Sequence, residues 1–529
     1  MNIASTIKLL DLYPSSGTYH PGEEVILCLI AESDTEYQQE FRAVIYHGPD
    51  VADILTQKQL VQVGRQKITF HWQPPANSPA GYGVQLVLVR GAAEDSLETA
   101  FDVLQSWTNF PRYGFLCDFF PTRAEEEKTI ESLAKYHING LQFYDWQYRH
   151  DQLVPPTDDF LDPLGRSLSL NRIRTLIAAA HRHGIAAMPY LTIYAASASF
   201  WRSHPEWMLY DPDKKPIPFG DDFLGIMNPA KGSAWHDHLL RECASVLSAL
   251  PFDGLHIDQF GEPKTAFDAS GLAVDLPQAF HDFIADAAAQ HPDAPILFNA
   301  VGNWPIETLA TSATSFNYIE IWPPDVSYSD VVRIVRNARE LSSDKPVTIA
   351  LYIPASQELN NLRANALIIS AGGTRIEIGE EDRLLSDPYF PKHEEMTPEL
   401  KAALRKQYDL IIRYEEWFGP LVNETTPTSI KIPAGIEAFY RQGNHKASLS
   451  LVNLNSETPL TWNTENPDLI PYDEFDIEVA LPNRPNRVLW VDIDGSTLTP
   501  SYLENQYKDG FCTIRIPRLS LWTVLLFEF

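Results

Sequence analysis

Over residues 1–108, apolar and polar positions alternate in short runs. "GEEVILCLI", "EFRAVIYHG", "QKITFHW" and "GYGVQLVLVRG" are rich in β-branched and aromatic residues and are bounded by Pro, Gly, Ser and Asp. That is the pattern of half-buried strands, and its regular spacing predicts an immunoglobulin-like β-sandwich. The same rhythm returns near the end in "GIEAFYRQG", "KASLSLVNL", "NRVLWVDID", "CTIRIP" and "WTVLLFEF". These predict a second β-sandwich over residues 425–529, with the Pro- and Thr-rich "NETTPTSIKIP" marking the join.

Between them, over residues 109–424, the period changes. Strand-like runs alternate with 3.6-period segments: "YGFLCDFF", "RAEEEKTIESLAKYH", "GLQFYDW", "LNRIRTLIAAAHRHG", "IAAMPYLTIYA", "WHDHLLRECASVLSAL" and "FDGLHIDQFG". The alternation continues through "PILFNAVGNW", "FNYIEIW", "PVTIALYIPA" and "ALIISAGGTRIEIGE". Eight strands, most followed by a helix, predict a multidomain protein with a central closed (β/α)8 TIM barrel. No GxGxxG or Walker-type glycine loop follows any strand, which argues against a nucleotide-binding doubly wound sheet.

Composition narrows the partners. The 529 residues are 44% hydrophobic and 21% charged, with a formal net charge of −29. An acidic chain without a basic stripe cannot neutralise phosphates, so no nucleic-acid partner is expected. No window is long and apolar enough for a membrane span. Cys28, Cys117, Cys243 and Cys512 lie far apart with no CxxC spacing, and are read as buried free thiols. The opening "MNIASTIKLLDLYPSSGTYHPGEE" does not read as a signal peptide. A cytoplasmic protein is expected, or a secreted one whose leader has been removed.

The ends of the predicted barrel strands are loaded with chemistry: Asp118, Asp145, Tyr190, Asp258, Asn299, Glu320, Tyr352 and Glu380, with Trp146, Trp304 and Trp322 beside them. Active sites of such barrels lie at that rim. Carboxylates, amides and aromatic plates converging there suit a carbohydrate, whose hydroxyls need polar partners and whose ring faces stack on aromatics. Asp258 and Glu320 end the hydrophobic runs "LHID" and "NYIE", and acetal hydrolysis needs one ionised and one protonated carboxyl across the bond. The alternative is a pair of core ion pairs with bases such as His256 or Arg375. His256 shares a face with Asp258 and suits either a sugar contact or a satisfied interior position. Asp145 suits a substrate-orienting role or an ion pair with Arg149. The HxD spacing lacks a third ligand, so no metal site is expected.

On these residues the chain resembles glycoside hydrolase family 66, the family of endo-acting dextranases and cycloisomaltooligosaccharide glucanotransferases. The resemblance is carried by "FPRYGFLCDF", "GLQFYDWQYRHDQLVPP", "MPYLTIYAA", "GLHIDQFG", "FNAVGNW", "YIEIWPP" and "GGTRIEIGEEDRLLSDPYFPKH". It implies retaining cleavage of α-1,6-glucan without a cofactor, with Asp258 as nucleophile and Glu320 as general acid/base. It further implies that Asp118, Tyr144, Asp145, Trp146, Tyr190, His256, Gln259, Asn299, Trp322, Tyr352 and Glu380 bind the substrate. The cyclising members carry an extra carbohydrate-binding module inserted in the barrel region, for which this chain has no room. A dextranase-like hydrolase acting on dextran or isomaltooligosaccharides is therefore expected. The alternatives are a transglycosylase, or a silent glucan-binding protein that would have lost one carboxylate.

Overall fold

The computed structural model describes residues 7–75, 79–88, 95–122, 125–343, 345–419, 422–425 and 429–529. The start of the chain, the end of "GYGVQLVLVRG" and the middle of "NETTPTSIKIP" lie outside them.

In the N-terminal part, a three-stranded antiparallel sheet (Ile7–Pro14, Val25–Ser33, Gly64–Trp72) faces a four-stranded one (Tyr37–His47, Asp50–Val61, Ala80–Leu88, Ser96–Val103). Alternation drives this packing: Ile68, Phe70 and Trp72 are buried while the residues between them are not. They share one core with Phe41, Ile45, Val84 and Phe101 of the other sheet. The C-terminal part repeats the device with a six-stranded and a four-stranded sheet, whose core joins Leu449 and Phe527 to Ile477 and Ile514.

Eight parallel strands lie between: β1 (Tyr113–Leu116), β2 (Gly140–Phe143), β3 (Ala186–Thr192), β4 (Leu255–Asp258), β5 (Ile296–Val301), β6 (Asn317–Glu320), β7 (Val347–Ala350) and β8 (Gly373–Ile376). Four of the helices that return the chain begin at side-chain caps. Ser169, Ser233, Asp275 and Ser327 each accept from a backbone N–H in the first turn. Their apolar stripes then cover the sheet: Ile173, Leu176 and Ile177 in one helix, Val331, Ile334 and Val335 in another.

The expected closed eight-stranded barrel is not what forms. The strands belong to one curled eleven-stranded sheet, ordered β8-β7-β6-β5-β4-β3-β2-β1 and then β9 (Ile378–Gly379), β10 (Arg383–Leu384) and β11 (Glu394–Glu395). No ladder joins β8 to β1; instead β9 meets β1 at the single pair Gly379↔Phe115, and β10 and β11 add antiparallel. The cause lies in two residues. Glu377 interrupts the run "TRIEIGE" because its carboxylate is buried against Arg375 (2.9 Å) and the Tyr408 hydroxyl (2.9 Å). Beyond it the chain reaches β1 only where a side chain is missing: a Cβ on Gly379 would lie 2.4 Å from the Phe115 ring.

Candidate active site

The carboxyl ends of β2 to β7 bring the predicted residues to one rim, the usual position of ligands on parallel sheets. Asp258 ends β4 and Glu320 ends β6, while β5 between them supplies Asn299. The Asn299 amide nitrogen donates to both carboxylates, 2.9 Å to Asp258 Oδ1 and 3.0 Å to Glu320 Oε2. Those two oxygens can therefore be no farther apart than the two distances laid end to end. Asp258 also accepts from the Tyr190 hydroxyl (2.8 Å) and the Gln259 N–H (2.9 Å), and Glu320 from the Tyr352 hydroxyl.

Burial governs the electrostatics. Desolvation, then the facing Glu320, pushes Asp258 up to about 7, and desolvation also raises Glu320. Two such carboxyls around one amide titrate as a unit and share one proton near neutrality. Three donors surround each carboxyl: Tyr190, Asn299 and the Gln259 N–H on Asp258, and Tyr352, Asn299 and Trp322 on Glu320.

The other predicted residues divide by depth. Trp322 is 37% exposed beside Glu320, with its ring 5.7 Å from that of Tyr352. Tyr144 stacks on Phe390 (4.3 Å) and packs against Tyr190 (4.8 Å). Asp145 occupies the left-handed region (φ 52°), a conformation found at strained functional turns. Burial pushes its carboxyl up to about 6, against the pull of Arg166 at 3.6 Å. Arg149 is not its partner, and donates instead to the carbonyls of Tyr148 and Leu161.

Trp146, His256, Gln259 and Glu380 lie behind this surface. Trp146 is fully buried, its indole N–H on the Tyr190 carbonyl at 3.0 Å. His256 bonds the Tyr113 hydroxyl (3.1 Å), and burial lowers it to about 3, so it is neutral. Gln259 holds the Trp304 carbonyl (3.1 Å) and the Gly261 N–H (2.7 Å). Glu380 accepts from the N–H groups of Cys117 and Asp118, and Asp118 is only part-buried.

Sequence reasoning missed a cavity of about 230 Å³ next to Asp145 and Tyr190, walled by His150, Tyr194, Phe219, Phe223 and Tyr389. His150 Nδ1 is buried there without a partner, while Phe219 (40%) and Phe223 (38%) expose their rings. These residues sit in loops and a two-residue hairpin strand, too short for any period to announce them. In a larger cavity of about 970 Å³, Glu424 is taken up by Arg336 at 2.6 Å, and Glu340 shares the wall with Arg339.

Known proteins resemble the chain in sequence and in fold. The model of the family described as "Glycosyl hydrolase family 66" matches residues 16–526. The chain belongs to this family. Two cycloisomaltooligosaccharide glucanotransferases of Niallia circulans are similar to it, at 27% identity over 373 residues and 28% over 448. These alignments cover 65% and 79% of this chain but only 38% and 46% of the relatives, so the family 66 chain spans less than half of their length. Among solved structures, a Paenibacillus cycloisomaltooligosaccharide glucanotransferase complexed with cycloisomaltoheptaose shares the fold. Its TM-score is 0.90 at 20% identity, covering 99% of this chain and 100% of that one. A maltogenic α-amylase from Thermotoga neapolitana is more distant, with TM-score 0.54 and 12% identity over 80% of this chain and 99% of that one.

Proposed function

We propose that this family 66 protein is a retaining glucanosyl-transfer enzyme acting on α-1,6-linked glucan or isomaltooligosaccharides. The observation that carries the reading is the amide nitrogen of Asn299, shared by both carboxylates. It holds their nearest oxygens closer than the roughly 6.5–9.5 Å that an inverting enzyme needs for water, which supports a retaining pair, whose carboxyls stand about 5–5.5 Å apart. The Asp258 carboxylate attacks the anomeric carbon as the glycosidic C–O bond breaks, and Glu320 gives its proton to the departing oxygen. Glu320, now ionised, takes a proton from the acceptor hydroxyl. That oxygen displaces Asp258 from the glycosyl ester and restores both groups.

The similarity to two glucanotransferases supports a sugar as acceptor. So does Trp322, which offers an exposed ring on the Glu320 side, where leaving group and acceptor bind in turn. Hydrolysis is the second reading. It is favoured by the direct passage from β7 to β8 through the helix Glu358–Ser370, without an inserted module.

Incubation with dextran and with isomaltooligosaccharides of graded length, with products resolved by chromatography and mass spectrometry, tests both. Transfer gives products longer than the substrate, or ring-closed ones. Linear fragments alone establish hydrolysis, and faster release of sugar from soluble starch than from dextran overturns the assigned linkage.

A further inference from the structure

The mixed tail of the sheet brings a thiol, a carboxylate and an imidazole together. Cys117 follows β1, Glu380 follows β9 and His393 precedes β11. One ligand atom from each lies within 4.8 Å of the other two. Glu380 is fixed through Oε1, which accepts from the Cys117 and Asp118 N–H groups at 2.8 Å each. The Cys117 thiol hydrogen-bonds the Glu380 carboxylate, whose Oε2 is buried in a residue only 3% exposed. The Nδ1 atom of His393 is buried and without a hydrogen-bond partner, and the Cys117 side chain is buried. Leaving such a nitrogen unmatched is costly, and native proteins rarely do so without a ligand.

We propose that Cys117, Glu380 and His393 form a zinc-binding site with three protein ligands. The chemistry of the set selects the ion. Hard cations such as calcium and magnesium take oxygen cages, whereas one sulfur, one nitrogen and one oxygen suit a borderline-soft divalent cation. A thiolate and a carboxylate balance its charge, the thiol proton passing to solvent on binding. Metal–ligand distances of about 2.0–2.3 Å draw the three atoms closer than they now stand. His393 is half-buried at the end of a turn and closes the set by rotating its side chain. A fourth position is left for water. The site has a mechanical purpose in this fold, because β9 is joined to β1 by one ladder pair only. A metal bridging Cys117 to Glu380 and His393 clasps that seam.

Zinc content read without substrate tests the site independently of the glycosyl chemistry. Purified protein is incubated with excess zinc, dialysed against metal-free buffer and assayed by mass spectrometry of the metal. The wild type and a Cys243→Ser control, altered on the distant helix Ala234–Ala249, should retain about one zinc per chain. Cys117→Ser and His393→Ala should each retain under about a tenth as much. The cobalt-loaded wild type should show a thiolate-to-metal charge-transfer band that Cys117→Ser lacks. If circular dichroism finds Cys117→Ser unfolded, Glu380→Gln and His393→Ala decide by the same criterion. Failure of the wild type to keep stoichiometric zinc, or equal retention by folded variants of the three residues, overturns the proposal.

Discussion

Asp258 and Glu320 are placed where they weaken the fold that holds them. Both carboxyls are raised by desolvation, Asp258 to about 7, while in the unfolded chain each titrates near an ordinary value of about 4. Below pH about 4 both states are protonated and no penalty exists. As pH rises the unfolded state ionises first, and the native state loses stability until its own carboxyl ionises near 7. Asp258→Asn should therefore raise stability at pH 8, by about 1–3 kcal/mol once the donors of Tyr190, Asn299 and Gln259 lose part of their acceptor. The gain should vanish at pH 4. Thermal melts at both pH values check this, and an Asn variant less stable than wild type at pH 8 would show that the carboxylate is not under strain. On the proposed chemistry, Asp258→Gly should leave below about 1% of turnover, with azide restoring it as a β-glycosyl azide. Activity above that level without azide would place the nucleophile elsewhere. The residue scale also shows what a sequence makes visible. Strand ends announced Asp258, Asn299 and Glu320, because a polar residue closing an apolar run stands out. Depth did not show: Trp146 follows the strand-end Asp145 yet is buried on the far side of the Tyr190 carbonyl. The partner of Asp145 is Arg166, in the next loop, and no spacing rule finds it.

At the scale of elements, the cavity beside Asp145 is shaped by a hairpin, Pro218–Phe219 pairing with Leu224–Gly225. Its rings Phe219 and Phe223 stand over residues that follow β2 and β3, while Glu320 lies beyond β4 on the other side of Asp258. If the leaving group sits by Glu320, the hairpin faces the donor end of the glucan. Stacking of a sugar on an aromatic face contributes on the order of 0.5–1.5 kcal/mol. The double variant Phe219→Ala, Phe223→Ala should therefore lower kcat/KM about 5- to 50-fold for oligosaccharides long enough to reach it. The loss should grow with chain length; a loss equal for all lengths would mean that the hairpin only supports the fold. Periodicity foretold the eight parallel strands, yet it could not foretell how their sheet ends. "TRIEIGE" reads as one continuous strand, and only the buried partners Arg375 and Tyr408 reveal why Glu377 breaks it. Hairpins and tails such as β9 to β11 carry too few residues for any period to register.

Across the whole molecule, charged side chains tie the three parts of the chain together. Arg405 pairs with Asp11, Arg487 with Asp50, and Glu98 accepts from Thr497 and the Leu498 N–H. A fully buried tie is Arg112, just before β1. It meets Asp102 of the N-terminal sheet at 2.7 Å, and donates to the carbonyls of Gly17 (3.0 Å), Phe110 (2.8 Å) and His137 (2.8 Å). The next residue, Tyr113, carries the hydroxyl that bonds His256, two positions ahead of Asp258. The N-terminal sheets thus reach to within a few side chains of the strand that ends in Asp258. A buried ion pair adds little net stability over an apolar pair, but removing one partner strands the other charge. Arg112→Ala should therefore cost about 3–5 kcal/mol, whereas Arg112→Met combined with Asp102→Leu should recover a large part of it. Urea unfolding of the two variants measures this directly. Equal destabilisation by both would mean that Arg112 acts through its carbonyl contacts at Gly17, Phe110 and His137, and that the charge of Asp102 is of little consequence to the join.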